Sequence, residues 1–190
     1  AMVVSEAKNR MDVPSGTDWL DLWLATNEPS ANVVLFRARL ELPDRDAAIQ
    51  FVDQFPDVAS DLNIRAQLAR WHGLEGNDEQ ALRLLSGVID DDPSRYQDLL
   101  TLSLLEMQSD NYDDAESRLK SLLASEQYRS NAYYHLGEVA VQKEQIDLAI
   151  DRFLRVERGE LVIEARKKLA NLAVQKNNPE QAQRWFAEAR

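Results

Sequence analysis

Tyr133-Tyr134-His135-Leu136-Gly137-Glu138-Val139-Ala140, a polar interruption at residues 142–145, then Ile146-Asp147-Leu148-Ala149-Ile150-Asp151-Arg152-Phe153: this stretch decides the fold. Apolar residues recur at three- to four-residue steps on both sides of the interruption, which is the pattern of two amphipathic helices. The short polar break between them predicts a tight reversal, so the stretch reads as a helix hairpin. Leu136-Gly137, Ala149 and Phe153 mark its inner side. Small residues let two helix backbones approach, and the large ones fill the space between them.

The same marks recur along the chain. Ala48, Ala81, Ala115, Ala149 and Ala182 are separated by 33, 34, 34 and 33 residues. Thirteen positions before each stands Leu35, Leu68, Leu102, Leu136 and Leu169. Four positions after each stands Val52, Leu85, Leu119, Phe153 and Phe186; seven after stands Phe55, Val88, Leu122, Val156 and Ala189. The residue following each marker leucine is Phe36, Ala69, Ser103, Gly137 and Ala170, small in four of five units. Turn-forming residues fall inside each hairpin at residues 42–44, 76–78, 109–111, 143–145 and 176–179, and between hairpins at 55–57, 92–94 and 158–160. Pro43, Pro56, Pro93 and Pro179 stand in these breaks, and Pro14 and Pro29 stand at the breaks on either side of the N-terminal helix that carries Trp19 and Trp23, where a helix tolerates them.

The unit resembles the tetratricopeptide repeat, whose 34-residue pattern runs aromatic, Leu-Gly, a second large residue, Ala-x3-Phe, then Pro. Tyr133, Leu136, Gly137, Ala149 and Phe153 match it, and the second unit adds Gly76, Ala81 and Pro93. The second large position departs, holding Arg39, His72, Glu106, Ala140 and Ala173. The resemblance implies an all-α chain: a right-handed superhelical α-solenoid of about five hairpins, at residues 29–61, 62–95, 96–129, 130–162 and 163–190. An additional N-terminal helical segment, residues 1–28, precedes them. Residues 96–190 also resemble the tetratricopeptide lipoproteins of the gammaproteobacterial outer membrane, some of which are adaptors of a periplasmic carboxyl-terminal processing protease. That resemblance implies a periplasmic, outer-membrane-tethered protein whose partner is a protease or an envelope complex. A cytoplasmic location is the alternative.

Composition agrees with an all-α reading and narrows the chemistry. Apolar residues make up 44% and charged residues 29% of the 190, with Gly and Pro scarce at six each. The net charge of −11 disfavours nucleic-acid binding, because an acidic surface repels phosphate. It is unevenly spread: residues 1–95 carry 9 Lys/Arg against 17 Asp/Glu, and residues 152–190 carry 9 against 5. The absence of Cys removes disulfides, thiolate nucleophiles and Cys-based metal sites. No apolar run approaches the length of a membrane span. The opening Ala1-Met2-Val3-Val4 has the look of an expression scar, which points to an excised fragment. Val3, Val4 and Met11 fit a short helix ending before Pro14. Residues 15–18 form a start signal for a second helix, whose Trp19, Leu20, Trp23 and Leu24 make one apolar face.

Neither catalysis nor metal binding is expected. His72 and His135 stand 63 positions apart, and Asp90-Asp91-Asp92 lacks the spacing and glycine of a calcium loop. No phosphate loop, dinucleotide fingerprint, nucleophile elbow or zinc-protease helix occurs, so no cofactor is expected. The expected activity is to hold a protein or peptide ligand in the groove that the first helices line. The groove residues are Asn63, Ala66 and Arg70 on one first helix, then Gln97, Leu100, Leu104 and Met107, then Asn131, Tyr134, Glu138 and Val141, and finally Glu164, Lys167 and Asn171. Leu100, Leu104, Met107 and Tyr134 would form its exposed apolar middle, with Arg70 and Lys167 as flanking cations. The alternative is self-association, as a homodimer, through the helical ends, using Trp185-Phe186 or Trp19-Trp23.

Overall fold

The computed structural model describes residues 16–189. Among them are eleven α-helices and no strand. They are α1 Gly16–Thr26, α2 Ala31–Ala38, α3 Arg45–Asp53, α4 Leu62–Leu74, α5 Asp78–Asp91, α6 Tyr96–Gln108, α7 Tyr112–Leu122, α8 Arg129–Gln142, α9 Ile146–Leu154, α10 Leu161–Gln175 and α11 Pro179–Glu188. Two 3-10 turns, Arg39–Glu41 and Pro56–Val58, extend the breaks around α3. The short helix expected before Pro14 lies outside the described residues. The helices fall into two compact units that divide between Leu84 and Leu85, inside α5.

In the first unit, α2 packs on α3, and both contact α4. Their core is Leu24, Val34, Leu35, Ala38, Ala48, Ile49, Val52, Ile64, Leu68 and Trp71. The apolar face expected for α1 is covered only in part. Leu24 is buried, but Trp19 and Trp23 are 49% and 41% exposed. Asp21 of α1 is tied to Arg37 of α2, with Arg37 Nε to Asp21 Oδ1 at 2.7 Å and Nη2 to Oδ2 at 3.1 Å.

In the second unit, each helix packs on the next from α6 to α11. Tyr134, Ala149, Phe153, Val156, Ala165, Leu169, Ala173, Ala182 and Trp185 belong to one continuous core. Gly137 shows why a small residue follows the marker leucine: a Cβ there would lie 2.7 Å from Phe153 Cε1. Phe153 is wholly buried and has no room to yield. Full burial of such a side chain contributes about 1.5–3 kcal/mol. Glu106 explains one departure from the repeat pattern. In place of a second large apolar residue, its buried carboxylate accepts from Arg118 Nε at 2.6 Å, and Arg118 Nη2 also donates to Ser86 Oγ at 3.1 Å. Burial pushes the Glu106 carboxyl up, and the Arg118 hydrogen bond and charge oppose that rise.

Four hairpin turns share one device. Gly76, Asp110, Glu144 and Asn177 occupy the same register and all have positive φ, between 53° and 78°. The next amide reaches back to the helix: Asn77 N–H to His72 C=O, Asn111 to Glu106, Gln145 to Ala140, and Asn178 to Ala173, at 2.8–2.9 Å. This left-handed cap satisfies carbonyls that the helix end leaves open. Neighbouring hairpins are then stitched turn to helix. Lys143 pairs with Asp113 at 2.6 Å and Glu116 at 2.7 Å, Lys176 pairs with Asp147, and in the first unit Arg45 pairs with Glu75 at 2.7 Å.

Of the four turn residues Glu144 fits its conformation least well, since side chains other than Gly, Asn and Asp are strained at positive φ. Glu144→Gly is expected to raise stability by about 0.5–1 kcal/mol, after the entropy glycine loses on folding. Urea unfolding of the two proteins measures the difference; an unchanged or lower midpoint contradicts the strain assigned here.

Candidate protein-binding face

Helices α6, α8 and α10 are the first members of successive hairpins, so each is separated from the next by one antiparallel partner and the three run parallel. Contacts join them directly. Tyr128, at the start of α8, donates its hydroxyl to Gln97 Oε1 of α6 at 3.1 Å and lies 6.2 Å, centroid to centroid, from Tyr96. Lys168 Nζ of α10 donates to Glu138 Oε1 of α8 at 3.0 Å.

Residues at equal register on the three helices form rows across this face. Gln97, Asn131 and Glu164 make the first row. Leu100, Tyr134 and Lys167 make the second; Leu104, Glu138 and Asn171 the third; Met107, Val141 and Val174 the fourth. The expectation of an exposed Leu100–Tyr134 strip is corrected by the second row. Leu100 is 7% and Tyr134 8% exposed, so both side chains belong to the interior rather than to the surface of the face. Tyr134 packs edge-on against Phe153, with centroids 5.7 Å apart. Its phenol is pushed up to about 12 by burial, by the negative charges of Glu138 and Glu164, and by a hydrogen bond to Glu138.

The apolar surface of the face is the fourth row. Met107 and Val141 are half-buried, and Val174 is 56% exposed. Leu104 is half-buried beside them. One position further along stand Gln108, Gln142 and Gln175, all exposed. Val174, the three glutamines, His135 and Lys168 were not among the residues expected from sequence. Carrying the 33–34-residue spacing one turn beyond Asn171 would have found Val174.

The polar residues are mostly engaged within the fold. Lys167 and Asn171 are exposed, and Lys167 Nζ lies 2.7 Å from Glu164 Oε1 one turn away. Asn131 is half-buried. Glu138 holds α8 to α10: besides Lys168, His135 Nδ1 lies 3.0 Å from its Oε2. Burial opposes ionisation of this carboxyl, but the His135 and Lys168 hydrogen bonds outweigh it and hold Glu138 below the usual carboxylate range. Asn63 and Arg70 lie on α4 of the first unit, Asn63 exposed and Arg70 half-buried. At the far end of the second unit the Trp185-Phe186 pair splits. Trp185 is in the core, which corrects the expectation that both are uncovered, while Phe186 is 45% exposed. Among the described residues no group of His, Asp and Glu is arranged to hold a metal ion, and no helix is long and apolar enough to cross a membrane.

With this geometry in place, the comparisons bear on fold. Three solved structures similar to the chain are MamA 41-end from Desulfovibrio magneticus RS-1, at TM-score 0.71 and 16% identity over 84% of this chain and 92% of that one; a second MamA crystal structure, at 0.68 and 19% over 77% and 86%; and MamA MSR-1 C2, at 0.64 and 21% over 83% and 91%. No protein-family model and no curated protein matches the chain. At these identities the likeness is one of fold. The fold is a tetratricopeptide-type array of helix hairpins.

A carboxyl whose folded pKa is depressed adds stability above its unfolded value, and that stability is lost as pH falls through the folded value. Glu138 is such a group. Replacing it by Gln is expected to lower stability at pH 7 and to flatten the loss of stability below about pH 4. Denaturant midpoints of both proteins between pH 7 and 3 check this. Parallel curves would show that the carboxylate contributes nothing through ionisation.

Proposed function

We propose that this chain is a non-enzymatic protein-binding scaffold that holds a segment of another protein across the face of α6, α8 and α10. The observation that carries this reading is the Met107–Val141–Val174 row. Three apolar side chains stand at one register on three parallel helices, next to the exposed glutamines. An apolar strip set among neutral hydrogen-bonding groups suits a protein surface better than a charged small molecule. The tetratricopeptide-type fold agrees with a scaffold role.

A photo-crosslinking residue placed at Val141, with Lys120 of the second-helix layer as control position, tests the reading in the native host. One partner crosslinked from position 141, absent from position 120 and lost when Val174→Asp is added, is the expected result. Equal yields at both positions, or insensitivity to Val174→Asp, would remove the basis for the proposal.

A second reading, self-association through the last hairpin, is favoured by one observation. Phe186 is 45% exposed, whereas Val52, Leu85, Leu119 and Phe153 at the same register are buried. Sedimentation equilibrium over rising concentration is expected to show a dimer that Phe186→Asp abolishes; a strict monomer rules it out. Periplasmic placement remains part of the proposal and rests on the lipoprotein resemblance of residues 96–190. Fractionation of the tagged full-length protein is expected to recover it with the outer membrane, and recovery with the cytoplasm overturns that placement.

A further inference from the structure

Away from the α6–α8–α10 face, the first unit holds a cavity of about 410 Å³ that opens to solvent. Asp21 and Leu24 of α1, Arg37 of α2, and Phe51, Gln54 and Phe55 at the C-terminal end of α3 line it. The two phenylalanine rings are half-buried, with centroids 5.3 Å apart. The guanidinium of Arg37 lies over the Phe51 ring, its Cζ 4.7 Å from the centroid. The cavity therefore has apolar walls with the Asp21–Arg37 ion pair set among them.

The two members of that pair are not equally within reach of a ligand. Arg37 keeps 10% of its side chain exposed and makes three hydrogen bonds inside the fold, two to Asp21 and one to Glu41. Asp21 keeps 45% of its side chain exposed. Each of its oxygens accepts one bond from Arg37, and a carboxylate oxygen has capacity for another. Gln54 is exposed as well, and its Nε2 donates to the Gln50 carbonyl at 3.4 Å, which leaves its amide oxygen as an acceptor. The polar groups that a ligand meets here are acceptors.

That arrangement selects the ligand's chemistry. An anion would meet an exposed carboxylate and find the guanidinium already engaged. A purely apolar group would strip water from the carboxylate without replacing its hydrogen bonds, which is costly. A cation on an apolar stem suits both surfaces: the stem lies against Leu24, Phe51 and Phe55, and the head donates to Asp21 and Gln54. The surroundings carry the matching sign. Residues 16–61, which comprise α1, α2, α3 and their connections, hold nine Asp/Glu against three Arg and no Lys. Of those arginines, Arg37 and Arg45 are held in ion pairs, the latter with Glu75, and Arg39 donates to Gln67 Oε1 at 3.2 Å.

We propose that this cavity is a binding site for a basic side chain, Lys or Arg, presented by a protein partner. The incoming head shares the Asp21 carboxylate with Arg37 and leaves the tie between α1 and α2 in place. A free organic amine carries the same chemistry. Small-ligand sites enclose about 70–90% of what they bind, however, and this cavity is open. A side chain held in position by its own backbone needs no such enclosure. The site lies wholly within the first unit and does not depend on the reading of the α6–α8–α10 face.

NMR on the 190-residue chain tests this by following the side-chain N–H signals of Arg37 and Gln54 during titration with short capped peptides. The first peptide has one lysine among glycines; the second has norleucine in its place, and the third glutamate. Free n-butylamine is the fourth probe. The lysine peptide is expected to shift both signals and to bind at least roughly tenfold more tightly than the norleucine and glutamate peptides. Free n-butylamine, which lacks a backbone, is expected to bind more weakly than the lysine peptide. Gln54→Lys places a cation at the cavity and alters only an exposed side chain. It is expected to weaken the lysine peptide by a similar factor, read from the Arg37 signal, with the circular dichroism unchanged. Norleucine or glutamate peptides binding as tightly as the lysine peptide overturn the assigned chemistry. Free n-butylamine binding as tightly overturns the protein partner and assigns the site to free amines. Signals that stay fixed at every peptide concentration, or lysine-peptide binding that Gln54→Lys leaves intact, overturn the site itself.

Discussion

The close approach of two helices over a small residue is the constraint on which the rest depends. In the best-formed hairpin, Phe153 sits so near Gly137 that even a methyl group there would come within 2.7 Å of its ring. That closeness lets Tyr134, Ala149 and Phe153 share a core with Ala165 and Leu169 of the next hairpin. A single hairpin has too little interior to hide such side chains, so each unit uses the following one as its cover. The repeating alanines and leucines are the record of this arrangement in the chain.

Polar interactions set how one hairpin meets the next. The left-handed turn residues end each first helix at a fixed point, which brings Lys143 and Lys176 to the acidic starts of the preceding second helices. Exposed ion pairs of this kind add little stability individually, about 0–1 kcal/mol. Their geometric role is larger, because they hold the turns in register. The Glu138–Lys168 hydrogen bond does the same work between α8 and α10, directly beneath the candidate binding face.

Much of this was legible in the chain before any coordinates. The 33–34-residue spacing located the hairpins, and most breaks between α2 and α11 are marked by Gly, Pro, Asn or Asp; residues 123–128 and 143–145 carry none of these and were placed by the repeat spacing alone. The binding face was legible only in part. Leu104, Met107 and Glu138 could be placed on it by register, but Leu100 and Tyr134 share that register logic and are buried. Helical periodicity states which side of a helix a residue occupies. It does not state how far a neighbouring hairpin leans over that side, and a lean of a few ångströms decides whether a leucine is surface or core.

The sequence alone determined the all-α class, the hairpin unit and the positions of its turns, because these follow from local spacing, helix-stop residues and the size of side chains at repeated positions. The tertiary structure alone decided which residues on the α6–α8–α10 face remain at the surface. It moved the apolar centre from Tyr134 to the Met107–Val141–Val174 row and kept Trp185 in the core while leaving Phe186 outside. The physical reason is that exposure depends on the separation and tilt of elements distant in the chain, quantities set by the sum of many packing contacts and recorded in no single residue.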